Sequence, residues 1–307
     1  MTLTARDQLD HLTVAAQVAG LDHLAVSLPN DHHVVLDGMR LHYLDWGTAG
    51  RPPVLFLHGG GLTAHTWDLV CLALHDSFRC IALDQRGHGD SEWSPGLDYG
   101  TAAHVGDLEA LIAHLGLERP VLVGQSMGAL NSLSYAARHA ESLAGLVLVD
   151  MTPEVRFEGA QRIFDFVTAP AELESVEAFV ERAMEFNPGR DPRLLRRSLL
   201  HNLRRLPDGR WTWKYDRRHM TRERFEALRA EVAGLTERVR AVTCPTLVVR
   251  GERSDVATPE GAQALVDALP DGELATVLDA GHTVQGDNPR GLADALASFL
   301  RRARQRD

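Results

Sequence analysis

Short apolar runs recur along the chain: Pro53–Leu57 (PVLFL), Cys80–Leu83 (CIAL), Pro120–Gly124 (PVLVG), Gly145–Val149 (GLVLV), Thr246–Arg250 (TLVVR) and Leu274–Leu278 (LATVL). Each is continuous rather than alternating, the pattern of a strand covered on both faces. Helical stretches separate them, so the rhythm predicts an α/β fold with a mostly parallel sheet flanked by helices. Ahead of the first run, two strand-like arms flank Asp37-Gly38, the dipeptide of a tight hairpin, which predicts an antiparallel edge. Thr101–Leu115 carries apolar residues at helical spacing behind a capping threonine, and Arg290–Arg302 predicts a closing amphipathic helix.

Between residues 152 and 240 the strand rhythm stops. The segment becomes helical and arginine-rich, with Phe164, Phe166, Phe179, Phe186, Trp211, Trp213 and Tyr215 scattered through it, and reads as an inserted helical cap. Residues 31–151 and 241–307 then form one core, and residues 1–30 form a helical extension. That extension could pack on the core, mediate a homodimer or fray.

Composition narrows the functions. A formal charge of −10 argues against a nucleic-acid partner bound through phosphate neutralisation. The cap holds 18 Lys and Arg against 15 Asp and Glu, so the acidic excess lies in the core. Three scattered cysteines (Cys71, Cys80, Cys244) make neither a disulfide framework nor a paired-thiol zinc site, and suit a reduced, cytoplasmic setting. The acidic start has no leader pattern, and no apolar stretch reaches the roughly 18 residues of a membrane span. Lys214 is the single lysine, a poor basis for Schiff-base chemistry. No metal constellation and no cofactor motif stands out, so a small-molecule substrate is the expected partner.

The chemistry concentrates where strand meets helix, in VLVGQSMGALNSLSYAARH, Val121–His139. A nucleophile lifted above a sheet needs a sharp turn that crowds the backbone two residues to either side, and Gly124 and Gly128 bracket Ser126 accordingly. A G-x-S-x-G string is common by chance; its position after a strand and before a helix gives it weight. Met127 can offer its N–H to a developing oxyanion, and HGGG (His58–Gly61) after the first apolar run supplies the second donor, with Gly60 preferred and Gly61 next.

Serine needs a base, and the base an orienting acid. His282 lies in LDAGHTVQGDNP, between the last predicted strand and the closing helix, at the sheet edge that carries Ser126. Asp255, in GERSDVATP, is the expected acid, giving the order Ser126, Asp255, His282; Asp150, at the end of an earlier strand, and Glu252 are its rivals.

These strings, together with LDQRGHGDS (Leu83–Ser91), resemble the α/β-hydrolase superfamily from about His32 onward. The resemblance implies an eight-stranded sheet with its second strand antiparallel, a helical cap between the sixth and seventh strands, and a Ser-Asp-His triad. It implies a serine hydrolase cleaving carboxylic esters of small or medium apolar substrates through an acyl-enzyme. Lactone or carbon–carbon cleavage, peracid formation and a hydrolase-fold ligand receptor stay open. Substrate contacts are expected from Gly61, His65, Trp67, Trp211 and Trp213, although the tryptophans serve equally well as the cap's own core.

Overall fold

The computed structural model describes residues 4–153 and 156–305; residues 1–3 of the N-terminal extension, 154–155 of the cap and 306–307 of the core lie outside the described residues. Ten strands follow in chain order: β1 Asn30–Leu36, β2 Met39–Asp45, β3 Pro53–Leu57, β4 Arg79–Asp84, β5 Val121–Gln125, β6 Gly145–Val149, β7 Leu203–Arg205, β8 Trp211–Trp213, β9 Thr246–Gly251 and β10 Gly272–Val277. Eight of them form one sheet in the order β1-β2-β4-β3-β5-β6-β9-β10, parallel from β4 to β10, with β2 antiparallel to both neighbours. β7 and β8 pair by themselves.

The helices are α1 Ala5–Val18, α2 Asp68–Leu74, α3 Thr101–Leu115, α4 Met127–His139, α5 Phe157–Thr168, α6 Val176–Phe186, α7 Pro192–Asn202, α8 Arg222–Ala233, α9 Leu235–Val239, α10 Pro259–Ala268, α11 Val284–Asp287 and α12 Pro289–Gln305. A short 3₁₀ turn, Ala64–Trp67, precedes α2.

The middles of the central strands are apolar at successive positions because each side chain has a layer to enter. Successive residues point to opposite faces. Val54, Phe56, Val121, Val123, Val147 and Val149 pack with α2 and α12 on one side, while Leu55, Leu57, Leu122, Leu146 and Leu148 pack with α3, α4 and α10 on the other. At the edge, Asp37 (φ 49°) and Gly38 (φ 80°) take the left-handed conformations of a tight two-residue turn, which sets Leu36 opposite Met39.

The N-terminal segment packs on the core. Thr4 and Asp7 form a reciprocal capping box at the start of α1, whose Leu12, Ala15 and Ala16 are buried in the same cluster as α12. α1 also lies against α7, so the extension braces core and cap together. Residues 156–233 supply α5 to α8 and the β7–β8 hairpin, and Phe179, Trp213, Tyr215, Leu195 and Leu199 give this cap its own small core. The end of the insertion behaves differently: Leu235 and Val239 of α9 are buried with α4 and α10 in the main core.

Asp84, at the carboxyl end of β4, holds the loops beneath the site. Its buried carboxylate accepts from Ala64 N (2.6 Å) and Asp90 N (2.9 Å) and pairs with His42 Nδ1 (2.7 Å). Burial alone would raise its pKa, but the His42 hydrogen bond and charge, His58 and the Ala64 N–H outweigh it and hold the carboxyl well below its ordinary 3.8. A carboxyl with a depressed folded-state pKa contributes stability above its unfolded value and loses it as pH falls. Asp84→Asn is therefore expected to cost about 3 kcal/mol in urea unfolding at neutral pH, and the gap from wild type should shrink below about pH 4. A gap independent of pH would contradict this role.

Candidate active site

Ser126 stands between the last residue of β5 and the first of α4 with φ 53° and ψ −114°, a conformation that strains a residue bearing a Cβ. Hydrogen bonds hold both sides of it: Ser126 N donates to Val149 O (3.1 Å), and Leu130 N donates to Ser126 O (3.0 Å). The flanking glycines have a steric cause. A Cβ on Gly124 would lie 2.3 Å from Gly128 O, and one on Gly128 would lie 2.3 Å from Leu57 O. Met127, at the first position of α4, has no intrahelical acceptor for its N–H.

His282 follows β10 at the same edge of the sheet. Its Nδ1 is 2.9 Å from Asp150 Oδ2, with the carboxylate fully buried and the imidazole nearly so. Asp150 immediately follows β6, which lies beside β5, and takes a left-handed conformation (φ 50°). It is fixed from behind: Gly251 N donates to Oδ1 (2.9 Å) and Ser254 Oγ donates to Oδ2 (2.6 Å). With Nδ1–H given to the carboxylate, Nε2 carries the lone pair that a general base uses. Among the described residues that lone pair meets the Gln125 amide (3.2 Å), which also donates to the His282 carbonyl (3.1 Å), and no hydrogen bond joins it to Ser126 Oγ.

The expected acid, Asp255, is not behind the ring. Its carboxylate accepts from Arg162 Nη1 of α5 at 2.8 Å, in a pair that is about half exposed. The reason is local: the last residue of β9, Gly251, and Ser254 in the loop after it cradle Asp150, and Asp255, one residue on, faces the cap. The rival Asp150 occupies the acid's place. Its place at the end of a predicted strand was the sequence signal for it.

Gly60, Gly61, Ser126, Met127, Asp150 and His282 border one cavity of about 1470 Å³ between core and cap, with Trp213 at its cap side. The other expected contacts lie elsewhere. Trp67 is fully buried in the main core, 5.2 Å from the Phe56 ring, and Trp211 packs on the cap's own cluster. His65 stacks on His201 (3.7 Å) and pairs with Asp68, bordering a separate small void. His58 is structural: its Nε2 accepts from Gln85 N (3.0 Å), and its other nitrogen meets Gly59 O (2.8 Å).

Two side-chain groups among the described residues bring potential metal-ligand atoms within 4.8 Å of one another: His65, Asp68 and His201, and His42, Asp84 and Asp90. In each, the central carboxylate is already engaged, Asp68 by His65 and Arg197 and Asp84 by His42 and two backbone N–H groups. No helix among the described residues is long and apolar enough to cross a membrane.

Residues 52–289 match the family described as the α/β-hydrolase fold, and this span contains the serine elbow, Asp150 and His282. The chain belongs to the α/β-hydrolase family. Among relatives of this α/β-hydrolase, the esterase Rv0045c of Mycobacterium tuberculosis is 30% identical over 303 residues, covering 92% of this chain and 97% of that one. A solved structure of that esterase superposes with a TM-score of 0.77, covering 98% of this chain and 99% of the other at 30% identity. The structure of an E-2-(acetamidomethylene)succinate hydrolase superposes with a TM-score of 0.80 at 26% identity, covering 89% and 99%. A protein of that activity from Mesorhizobium japonicum is 27% identical over 285 residues, covering 90% of this chain and 99% of its own.

The two carboxylates make different predictions for the ring. The wild type should show a far-downfield proton resonance from the Asp150-bonded Nδ1–H of His282, absent in Asp150→Ala and kept in Asp255→Ala. Loss of the signal in Asp255→Ala alone would reinstate Asp255 as the partner.

Proposed function

We propose that this hydrolase cleaves carboxylic esters through an acyl-enzyme on Ser126, with His282 as general base and acid and Asp150 as the residue that orients it. The observation that carries the reading is the pairing of Asp150 with His282 Nδ1 at the edge of the cavity that Ser126 also borders. The strained elbow supports it, because strain of this kind persists where the surrounding structure enforces it and collects at reacting groups.

In the proposed sequence, the seryl hydroxyl takes the place of the Gln125 amide at His282 Nε2. As Oγ attacks the ester carbonyl, its proton passes to Nε2, and Asp150 stabilises the imidazolium. The N–H groups of Gly60 and Met127 donate to the tetrahedral oxyanion, a contribution of about 3 kcal/mol per donor in related chemistry. His282 then protonates the departing alcohol oxygen. A water, deprotonated by the same nitrogen, releases the acyl group and restores Ser126.

The preference for esters draws support from the M. tuberculosis relative, named as an esterase. The same three groups could act on lactones or diketones, which a substrate panel separates. With p-nitrophenyl butyrate, Ser126→Ala should abolish turnover, and Asp150→Asn should lower kcat by about 10⁴-fold. Asp255→Asn removes one half-exposed ion pair worth at most about 1 kcal/mol and should leave kcat nearly unchanged. Full turnover by Ser126→Ala would end the proposal.

A further inference from the structure

The cationic side chains that border the cavity are mostly matched. Arg162 pairs with Asp255, Arg253 with Asp279, Arg224 donates to Tyr99 O, and Arg229 lies over the Phe157 ring. Arg190 is different. It precedes α7 and borders both this cavity and the separate small void beside His65 that Gly286 also lines, and its side chain is only 11% exposed, yet among the described residues its guanidinium makes no hydrogen bond. Nε is buried without a hydrogen-bond partner and has only a long ion pair with Asp287 Oδ1. The nearest carboxylate, Asp287, stands 3.9 Å away and is already occupied, accepting from Gly281 N (2.9 Å) and Asn187 Nδ2 (3.2 Å).

A buried guanidinium without acceptors is costly. Burial lowers the Arg190 pKa from its ordinary value and Asp287 only partly offsets this, as expected for a cation short of counter-charge. The position is also fixed: a Cβ on Gly286 would come within 2.4 Å of Nη2, so the guanidinium lies against the backbone of α11, four residues beyond His282. Asp287 in turn bonds the backbone of Gly281, the residue before the base. A rigid, planar donor set short of acceptors, bordering the reaction cavity beside the histidine loop, matches a carboxylate, which accepts two parallel N–H bonds from such a fork. With Asp287 so near, a single guanidinium suits a monoanion better than a phosphate dianion.

We infer that Arg190 forms a carboxylate-binding subsite of the catalytic cavity, so that the preferred substrates are esters bearing a second, ionised carboxylate. The inference rests on the hydrolase reading above for its link to turnover. The subsite fixes one end of the substrate, and the apolar wall that includes Phe164, Phe166 and Leu195 receives the chain between that end and the scissile ester.

The test compares anionic esters with uncharged partners of equal length. One series carries the charge on the acyl side: p-nitrophenyl monoesters of succinate, glutarate and adipate against the same compounds capped as methyl esters. The other carries it on the alcohol side: butyrate esters of ω-hydroxy acids against their methyl-capped forms. Wild type should favour the anionic member in one series, and Arg190→Gln should lower that preference, as a ratio of kcat/KM values, by about tenfold or more. The loss should fall mainly on KM and be partly restored in Arg190→Lys. Gly286→Ala, which displaces the guanidinium without removing it, should lower the ratio too. Absence of any preference in wild type, or an unchanged ratio in Arg190→Gln, overturns the subsite. Should wild type cleave no ester, the hydrolase reading fails by itself, and calorimetry with glutarate decides the subsite. Binding to Ser126→Ala protein that weakens with the added Arg190→Gln change supports it, and no binding, or binding indifferent to Arg190, overturns it.

Discussion

The hydrogen bond between Asp150 and His282 is the constraint on which the site depends. It ties the end of β6 to the loop after β10, and β9 lies between these strands in the sheet. An exposed pair at this distance would be weak and screened, whereas here the carboxylate is fully buried and its remaining lone pairs are taken by Gly251 N and Ser254 Oγ. The acid thus holds a fixed orientation behind the imidazole before any substrate arrives. The loop after β9 follows from this arrangement, since Ser254 serves Asp150 and the next residue, Asp255, is left to bind the cap.

The same logic of over-determined geometry runs through the elbow. Ser126 keeps a backbone conformation unfavourable to serine because β5 meets the start of α4 at Gly124, and α4 meets the end of β3 at Gly128, so closely that only glycine fits at the two flanking positions. Beneath it, Asp84 fastens the turn at Ala64 and the loop at Asp90 to the end of β4, while His58 and Gln85 brace the glycine loop. Preorganisation on this scale lowers the reorganisation needed when charge develops on a substrate oxygen.

The sheet was legible in the sequence because burial on both faces leaves a plain mark, a run of apolar residues with no alternation; Leu55 and Phe56 enter opposite layers and both must be apolar. Ser126 and His282 were singled out because each stands at a junction with its own local pattern. The acid was not settled by such reasoning, because Asp150 and Asp255 both follow strands that end at the same edge, and only the path of the loop after β9 separates them. Cap contacts were the least legible. An aromatic residue at helical or hairpin spacing looks alike whether it faces a cavity or a neighbouring helix, and Trp67 and Trp211 went to packing. Arg190 gave no signal at all in an arginine-rich segment; its isolation appears only once the partners of its neighbours are known.

The cap therefore does more than cover Ser126. It closes a cavity whose chemistry is divided between an apolar wall and one guanidinium short of acceptors, while α1 braces α7 from outside. The central claim, that Ser126 is the group made nucleophilic by the Asp150–His282 pair, is tested most directly by reaction with a p-nitrophenyl alkylphosphonate, followed by peptide mapping and crystallography of the adduct. The account predicts one phosphonyl group on Ser126 Oγ, its oxygen facing the N–H groups of Gly60 and Met127, and no adduct in His282→Gln. A label on another residue, or undiminished labelling of Ser126 without His282, would contradict it.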